Sequence, residues 1–466
     1  VTWQDIQGWF DFQHVYDEAV RRAKPNARLV EIGAWLGKST AYLAQAIKDS
    51  GKSIELHVVD SWDNCTVSKH NGPSNGGAYA NSSTKALFYE NMKACAVEAT
   101  RVIERDSTAA ADCFLDESID FLFLDGDHSP EKVYADLKAW WPKIKPGGLL
   151  AGHDFDEPGP NASAIRFAEE IGKACYGDGG FGRALRCFSI PKPSNEEYGI
   201  FLALPHYNGT ACAASMVTAC LRSYSGKGFV AVKENGCSAL CSNFNHLWCQ
   251  ALNMPNVTHF AMVHADILPM EYWLDVLVRE MEQEQAQLVS TIVPIKDNLG
   301  ITSTGIVLPG NHWTPKRRFT MQEIIGMPST FDAELAGYSN ERLVLNTGCW
   351  LADLRDARWK TELPDGSLVA HFEMRDMIRK VEGEYRNFFE PEDFFFSRTV
   401  QELGMKAVAT RKPNVTHIGN FGYTNDAPWG QHRQDERTRP LWETEETIRN
   451  AETETNSALT AVSGPR

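Results

Sequence analysis

The stretch Phe121–Asp154, FLFLDGDHSPEKVYADLKAWWPKIKPGGLLAGHD, decides the fold. It reads as an apolar strand ending in carboxylates, an amphipathic helix, a Pro-Gly-Gly turn, and a second strand ending in His-Asp. Two strands therefore deliver Asp125, Asp127, His128, His153 and Asp154 toward one rim. Open α/β sheets bind ligands outside the carboxyl ends of their strands. Acids and imidazoles gathered there suit a divalent cation and a proton acceptor. The competing reading is two strand-end turns with solvated acids, but five such groups are more than turns need.

Outward from this stretch, residues 1–190 alternate strand and helix patterns. Val30–Gly33, His57–Asp60, Val102–Glu104, Phe121–Asp125 and Leu149–Gly152 read as buried parallel strands. Gly37–Lys48 and Pro130–Ile144 read as the intervening helices, which is the rhythm of a doubly wound sheet. Asn71–Asn81 is rich in Gly and Asn and reads as a loop beside the site, either a lid or an inert insertion. Pro191–Glu197 reads as a linker. A second run of strands and helices follows over 198–425, and 426–466 is a polar, acidic extension with Trp429 and Trp442 as isolated anchors.

At 466 residues two domains are the default. The formal charge of −15 argues against a general affinity for nucleic acid. The triplet Lys316-Arg317-Arg318 is a local exception that reads as a solvated loop. Eleven scattered cysteines fit a reducing, cytoplasmic setting better than a disulfide framework. Cys237, Cys241 and Cys249 lack a zinc-ribbon spacing. No apolar run is long enough to span a bilayer, and no signal peptide is recognisable. Sequons at Asn81 and Asn208 mean little without one.

Val30-Glu-Ile-Gly-Ala-Trp-Leu-Gly-Lys-Ser-Thr40 reads as strand, glycine turn and helix start. Gly33 and Gly37 allow backbone to approach a ligand, although the full dinucleotide glycine pattern is missing. Asp60 ends the next strand, where an acid can accept from both ribose hydroxyls. Asp106-Ser107 follows another strand, where an adenine would lie. This set, with D-G-D-H-S and G-H-D, resembles the class I S-adenosylmethionine-dependent methyltransferases acting on hydroxyls of sugars and small molecules. The resemblance covers about residues 28–170. It implies a Rossmann-like fold and cofactor contacts at Glu31, Gly33, Gly37, Asp60, Asp106 and Ser107. It also implies a divalent cation, magnesium or manganese, on Asp125, His153 and Asp154, although imidazole suits magnesium poorly. His128 is the implied base for the acceptor hydroxyl, with Asp127 as the alternative; a helix-capping imidazole is the competing reading of His128.

In the second half, Ile200–Gly209 reads as a strand ending in a polar turn, and Val257–Pro269 as a strand ending at His264-x-Asp266. Glu390-Pro-Glu-Asp393 opens a later helix, and Lys412–His417 closes the series. This order resembles the GT-A glycosyltransferases, family 2-like enzymes that use nucleotide-diphosphate sugars. The resemblance implies a GT-A-like α/β domain with Pro205 and Tyr207 near the nucleotide base and His264 toward the sugar or ribose. It implies metal on Asp266 and His417, and Asp393 as acceptor base with Glu392 beside it. Two acids at a helix start also favour the helix dipole. Trp350, in Asn346–Trp350, reads either as a sugar-stacking face or as core.

The combined expectation is a bifunctional enzyme that methylates a sugar hydroxyl and transfers a sugar to a saccharide or glycoconjugate acceptor. The alternative keeps the methyltransferase active and makes the second domain a non-catalytic carbohydrate-binding module. A nucleotidyltransferase is disfavoured by the lack of a glycine-rich basic loop after Leu204.

Overall fold

The computed structural model describes residues 1–62, 84–178, 186–207, 219–220, 222–297, 299–307, 317–339, 341–419 and 422–430. The Asn71–Asn81 stretch, both sequons, Lys316 and Trp442 lie outside the described residues. The chain divides into two compact units. The first is Val1–Glu197 with Arg222–Lys227 and Glu271–Arg279; the second is Tyr198–Leu221, Gly228–Met270 and Glu280–Arg466.

Unit 1 is built on β1 (Ala27–Ile32), β2 (Ile54–Val59), β3 (Arg101–Ile103), β4 (Ile119–Leu124), β5 (Ile144–Gly152), β6 (Tyr176–Asp178) and β7 (Cys187–Pro191) in the order 3-2-1-4-5-7-6. β1 to β5 are parallel; β7 runs antiparallel to β5, and β6 to β7. Side chains alternate across a strand, so each strand feeds two cores. Leu29, Phe121 and Phe123 pack on one side with Tyr16 and Leu43. Val30, Ile32, Leu122 and Leu124 pack on the other with Leu137, Trp140 and Phe167. The expected Pro-Gly-Gly turn is instead the start of β5, whose register against β4 shifts between Ile119 and Phe121. Pro191–Glu197 is also less free than a linker. Lys192 N–H donates to Gly148 O, and its Nζ to Ile144 O at 2.8 Å, tying the segment to β5.

Strand order reverses between β1 and β4, which opens the crevice where such sheets take ligands. Gly33 lies in that crevice at φ +88°, and a Cβ there would sit 1.8 Å from the carbonyl oxygen of Asp125. The close approach is locked by Asp125 N–H donating to Ile32 O and Gly33 N–H donating to Val59 O.

Unit 2 has a mixed sheet in the order β15-β20-β12-β17-β10-β8-β9, comprising β8 (Glu197–His206), β9 (Lys227–Gly236), β10 (His259–Val263), β12 (Leu288–Thr291), β15 (Thr330–Phe331), β17 (Cys349–Asp353) and β20 (Ala407–Thr410). β8 and β10 are parallel, β17 is antiparallel to β10 and β12, and β12 is parallel to β20. Smaller sheets join β11 (Ile267–Pro269) to β21 (Val415–Ile418) and β22 (Gly422–Thr424), and β13 (Ile301–Val307) to β14 (Arg317–Thr320) and β16 (Arg342–Val344). β18 (Arg375–Val381) and β19 (Glu384–Glu390) form a hairpin that leads into the helix Glu392–Glu402. The core is aromatic: Phe372 stacks on Phe396 at 4.3 Å beside Trp248, Trp350 and Trp359. Trp350 is therefore core and presents no face to a sugar. The first residues of the expected extension fold back, with Trp429 Nε1 donating to Thr424 O at 2.7 Å.

Gly33→Ala is expected to destabilise unit 1 by roughly 3 kcal/mol or more, because positive φ adds to a backbone overlap. Gly51→Ala has positive φ but nothing within 4 Å of its Cβ, and is expected to cost about 1 kcal/mol. Chemical denaturation followed by fluorescence compares the two, and equal losses would refute the steric argument.

Candidate functional site

The rim of unit 1 is assembled from strand ends. Asp125 follows β4, and His153-Asp154 follows β5, with His153 N–H donating to Leu124 O. Asp154 adopts φ 56°, a region that non-glycine side chains rarely enter and that often marks functional sites. His128 stands between the acids, with Nε2 3.1 Å from Asp154 Oδ2 and 3.6 Å from Asp125 Oδ1. One ligating atom each from Asp125, His128 and Asp154 lie within 4.8 Å of one another.

His153, expected as a metal ligand, is placed differently. Its Nδ1 lies 3.1 Å from Asp154 Oδ1 and its Nε2 2.9 Å from Asp11 Oδ1, so both nitrogens already face carboxylates. Phe12 covers the ring at 4.8 Å. Behind it, Arg186 Nη1 donates to Asp11 at 2.5 Å and Arg186 Nε to Asp156 at 3.1 Å. Burial works against charge on His153, but Asp11 and Asp154 outweigh it and raise the imidazole to about 10. The hydrogen bond from His153 holds Asp11 well below the carboxylate range despite burial, with Arg186 adding to it. Burial would raise Asp154; His153, His128 and Arg186 bring it below its ordinary value. Asp125 and then Asp154 hold the half-exposed His128 in its charged form, up to about 9 against the opposing effect of desolvation. Asp127, the alternative base, spends an oxygen on Ser129 N–H at 2.7 Å, which lowers it.

Of the expected cofactor contacts, Gly33 and Asp60 meet at the crevice. Asp60 Oδ2 accepts from Ala34 N–H and Trp35 N–H at 2.8 and 2.9 Å, and Oδ1 accepts from Trp62 N–H. Asp106 caps the short helix Ser107–Ala110 and accepts from Lys132 Nζ at 2.7 Å. Ser107 Oγ turns inward to the buried Asp136. Gly37 starts the helix Lys38–Ser50, and a side chain there would meet Phe88. Glu31 is a correction: it is 1% exposed and takes hydroxyl donors from Tyr16 at 2.8 Å and from Thr40. It braces the turn from beneath. Burial lifts it to about 7, against the hydroxyl hydrogen bonds that lower it.

In unit 2, Asp266 and His417 do meet, with His417 Nε2 3.5 Å from Asp266 Oδ2. Lys296 Nζ donates to the same oxygen. Burial would raise Asp266, but His417 and Lys296 hold it well below the carboxylate range. Burial pushes His264 down to about 4. Pro205 is buried in β8, and Tyr207 beyond it is exposed. Asp393 opens the helix Glu392–Glu402; burial, then the neighbouring Glu392, push it up to about 8, with the charge of Arg318 opposing. Glu392 is likewise raised by burial. Arg318 belongs to the triplet expected to be a solvated loop. It is instead tucked over Phe394 at 5.2 Å, and its partner Arg317 bonds Tyr338 and Glu323. Cys237, Cys241 and Cys249 are free thiols.

Three residues of these groups escaped the sequence reading: Asp11, Arg186 and Lys296. Asp11 left a faint signal, an acid inside Trp9-Phe-Asp-Phe12.

Residues 30–155 match the family described as a methyltransferase domain. A stretch of 129 residues is 29% identical to an uncharacterised protein of Sinorhizobium fredii; it makes up 28% of this chain and spans only 13% of that relative's length. Among solved structures, similarity is found to a SAM-dependent O-methyltransferase of Thermotoga maritima (14% identity, 42% of this chain and 69% of that one, TM-score 0.30). It is also found to a Corynebacterium glutamicum protein (12% identity, 41% and 86%, TM-score 0.31). The N-terminal unit thus carries a Rossmann-like methyltransferase domain. Among the described residues no helix is long and apolar enough to cross a membrane.

Glu31 keeps its proton to about 7 when folded and ordinarily loses it near 4.5. Between these values the folded state holds the extra proton, so its contribution to stability falls as pH rises. Above pH 7 the full penalty, on the order of 3 kcal/mol, is in place. Glu31→Gln is expected to flatten that slope and to gain on the parent protein at pH 8 relative to pH 5, read from urea midpoints.

Proposed function

We propose that this chain methylates a hydroxyl of a saccharide or glycoconjugate with S-adenosylmethionine, and that unit 2 transfers a sugar from a nucleotide-diphosphate donor. The observation that carries the first part is the convergence of Asp125, His128 and Asp154 at the carboxyl rim of a methyltransferase sheet. In the step envisaged, the acceptor oxygen attacks the methyl carbon and its proton passes to His128 Nε2 in the neutral imidazole, the form favoured once a bound cation offsets the charge of Asp125 and Asp154 that otherwise keeps His128 protonated. The carbon–sulfur bond breaks, and sulfur keeps the electron pair as S-adenosylhomocysteine. Positioning dominates such an in-line displacement. Asp60 would take the ribose hydroxyls on lone pairs its backbone donors leave open.

The two carboxylates fit a hard divalent cation, and His153, engaged at both nitrogens, does not. Asp125 and Asp154 would hold such a cation, and its charge would lower the pKa of the acceptor hydroxyl. His128 serves the proton, because a half-exposed imidazole is in reach of an acceptor and is a poor magnesium ligand.

For unit 2 the supporting features are the mixed strand order and the raised acid at the helix start. Asp393 in its ionised form, which gains population as pH rises toward 8, would take the acceptor proton as the new glycosidic bond forms, while the bond from the anomeric carbon to the phosphate oxygen breaks and that oxygen keeps the pair. Arg318 would hold Asp393 in place through its charge.

Calorimetric titration with S-adenosylhomocysteine tests the assignment. Asp60→Ala is expected to lose about tenfold or more in affinity, and Asp393→Asn to bind as the parent. His128→Gln is expected to bind within about threefold, yet to lose ~100-fold or more of labelled-methyl transfer to a saccharide panel. Undiminished transfer by His128→Gln would remove it as the base.

A further inference from the structure

The acid that the sequence assigns to a metal in unit 2 already carries a cation of the protein's own. Lys296 Nζ donates to Asp266 Oδ2. The pair is about one-third exposed, at 35% and 33%, so it is open to a ligand. His417 is fixed beside it from two directions. Its Nδ1 donates to Pro294 O at 2.7 Å, which leaves Nε2 toward Asp266. Its strand pairs with β11, setting His417 opposite Ile267, and Ile418 N–H donates to Asp266 O at 2.7 Å. His264 lies within electrostatic reach of Asp266, His417 and Lys296, and its Nε2 is buried without a hydrogen-bond partner among the described residues.

This donor set does not fit a divalent cation of the magnesium or manganese type. Such ions want several anionic oxygens, and here one carboxylate is shared with an ammonium and two imidazoles. Among the described residues, three ligating side chains converge only at Asp125, His128 and Asp154, in the other unit. An ammonium and an imidazole beside one acid, with the uncharged His264 behind them as a neutral N–H donor, suit an anion instead. An ammonium has three donors, so Lys296 can keep its bond to Asp266 and still give two to phosphate oxygens.

Resting on the sugar-transfer reading of unit 2, we infer that this unit binds the diphosphate of a nucleoside diphosphate without a divalent metal, through Lys296 held by Asp266 and with His417 and His264 as further donors. Lys296 takes the cation's place, and Asp266 is its anchor rather than a metal ligand.

The test is calorimetric titration of the intact chain with uridine, guanosine, adenosine and cytidine diphosphates, once in EDTA and once with manganese. At least one nucleotide is expected to bind equally, within threefold, in both conditions. Lys296→Ala is expected to weaken that binding tenfold or more, and Lys296→Arg to restore most of it. Thermal melting of each variant reports whether it is folded. Binding that needs manganese, or Lys296→Ala binding as the parent does, overturns the inference while sparing the sugar-transfer reading. If no nucleoside diphosphate binds in either condition, both fall.

Discussion

Unit 1 depends on one missing side chain. The backbone at residue 33 comes so near the carbonyl of Asp125 that only hydrogen fits between them. That contact sets the turn after β1 against the end of β4, and everything at the rim is referenced to it. Asp60 ties down the next two amides from one side. Glu31 supports the turn from below, buried at the cost of its charge. Two hydrophobic layers, one on each face of the sheet, keep these strands from sliding. Register slips would move every apolar side chain to the wrong face.

The rim then alternates in sign. Arg186, Asp11, His153, Asp154 and His128 follow one another, each within hydrogen-bond or ion-pair distance of the next. A chain of opposite charges is stiffer than isolated pairs, because each member is oriented by two neighbours. It fixes Asp154 in a backbone conformation that an aspartate would not choose alone. One acid pair of unit 2 is treated differently. Asp393 and Glu392 sit together in a poorly solvated place, with the half-buried Arg318 as the counter-charge. There the local field favours the neutral acid, and with it the capacity to exchange a proton near neutral pH.

Much of this was legible in the residues. The five parallel strands of unit 1 fall close to the ranges read from apolar runs, since buried parallel strands are apolar on both faces and leave a strong mark. The rim acids were legible because strand ends can be counted. What could not be read were the partners. His153 looked like a ligand because nothing near it in sequence announces Asp11, 142 residues away. Glu31 looked like a cofactor contact because its hydroxyl partners come from two helices. Arg318 looked solvated because a basic triplet carries no sign of the aromatic ring that one member covers. Side chains were misread where their environment is made by tertiary packing.

The first twenty-two residues have a bearing on how such a domain can be inherited. They precede the segment that matches the methyltransferase family, yet Asp11 steadies His153, Phe12 covers it, and Tyr16 supplies a hydroxyl to Glu31. The recognisable module and the working module are therefore not the same length. A recombination event that carried only residues 30–155 into another gene would transplant the strand ends but leave behind their scaffolding. For this rim to keep its geometry, the leading segment has to travel with the strands it supports.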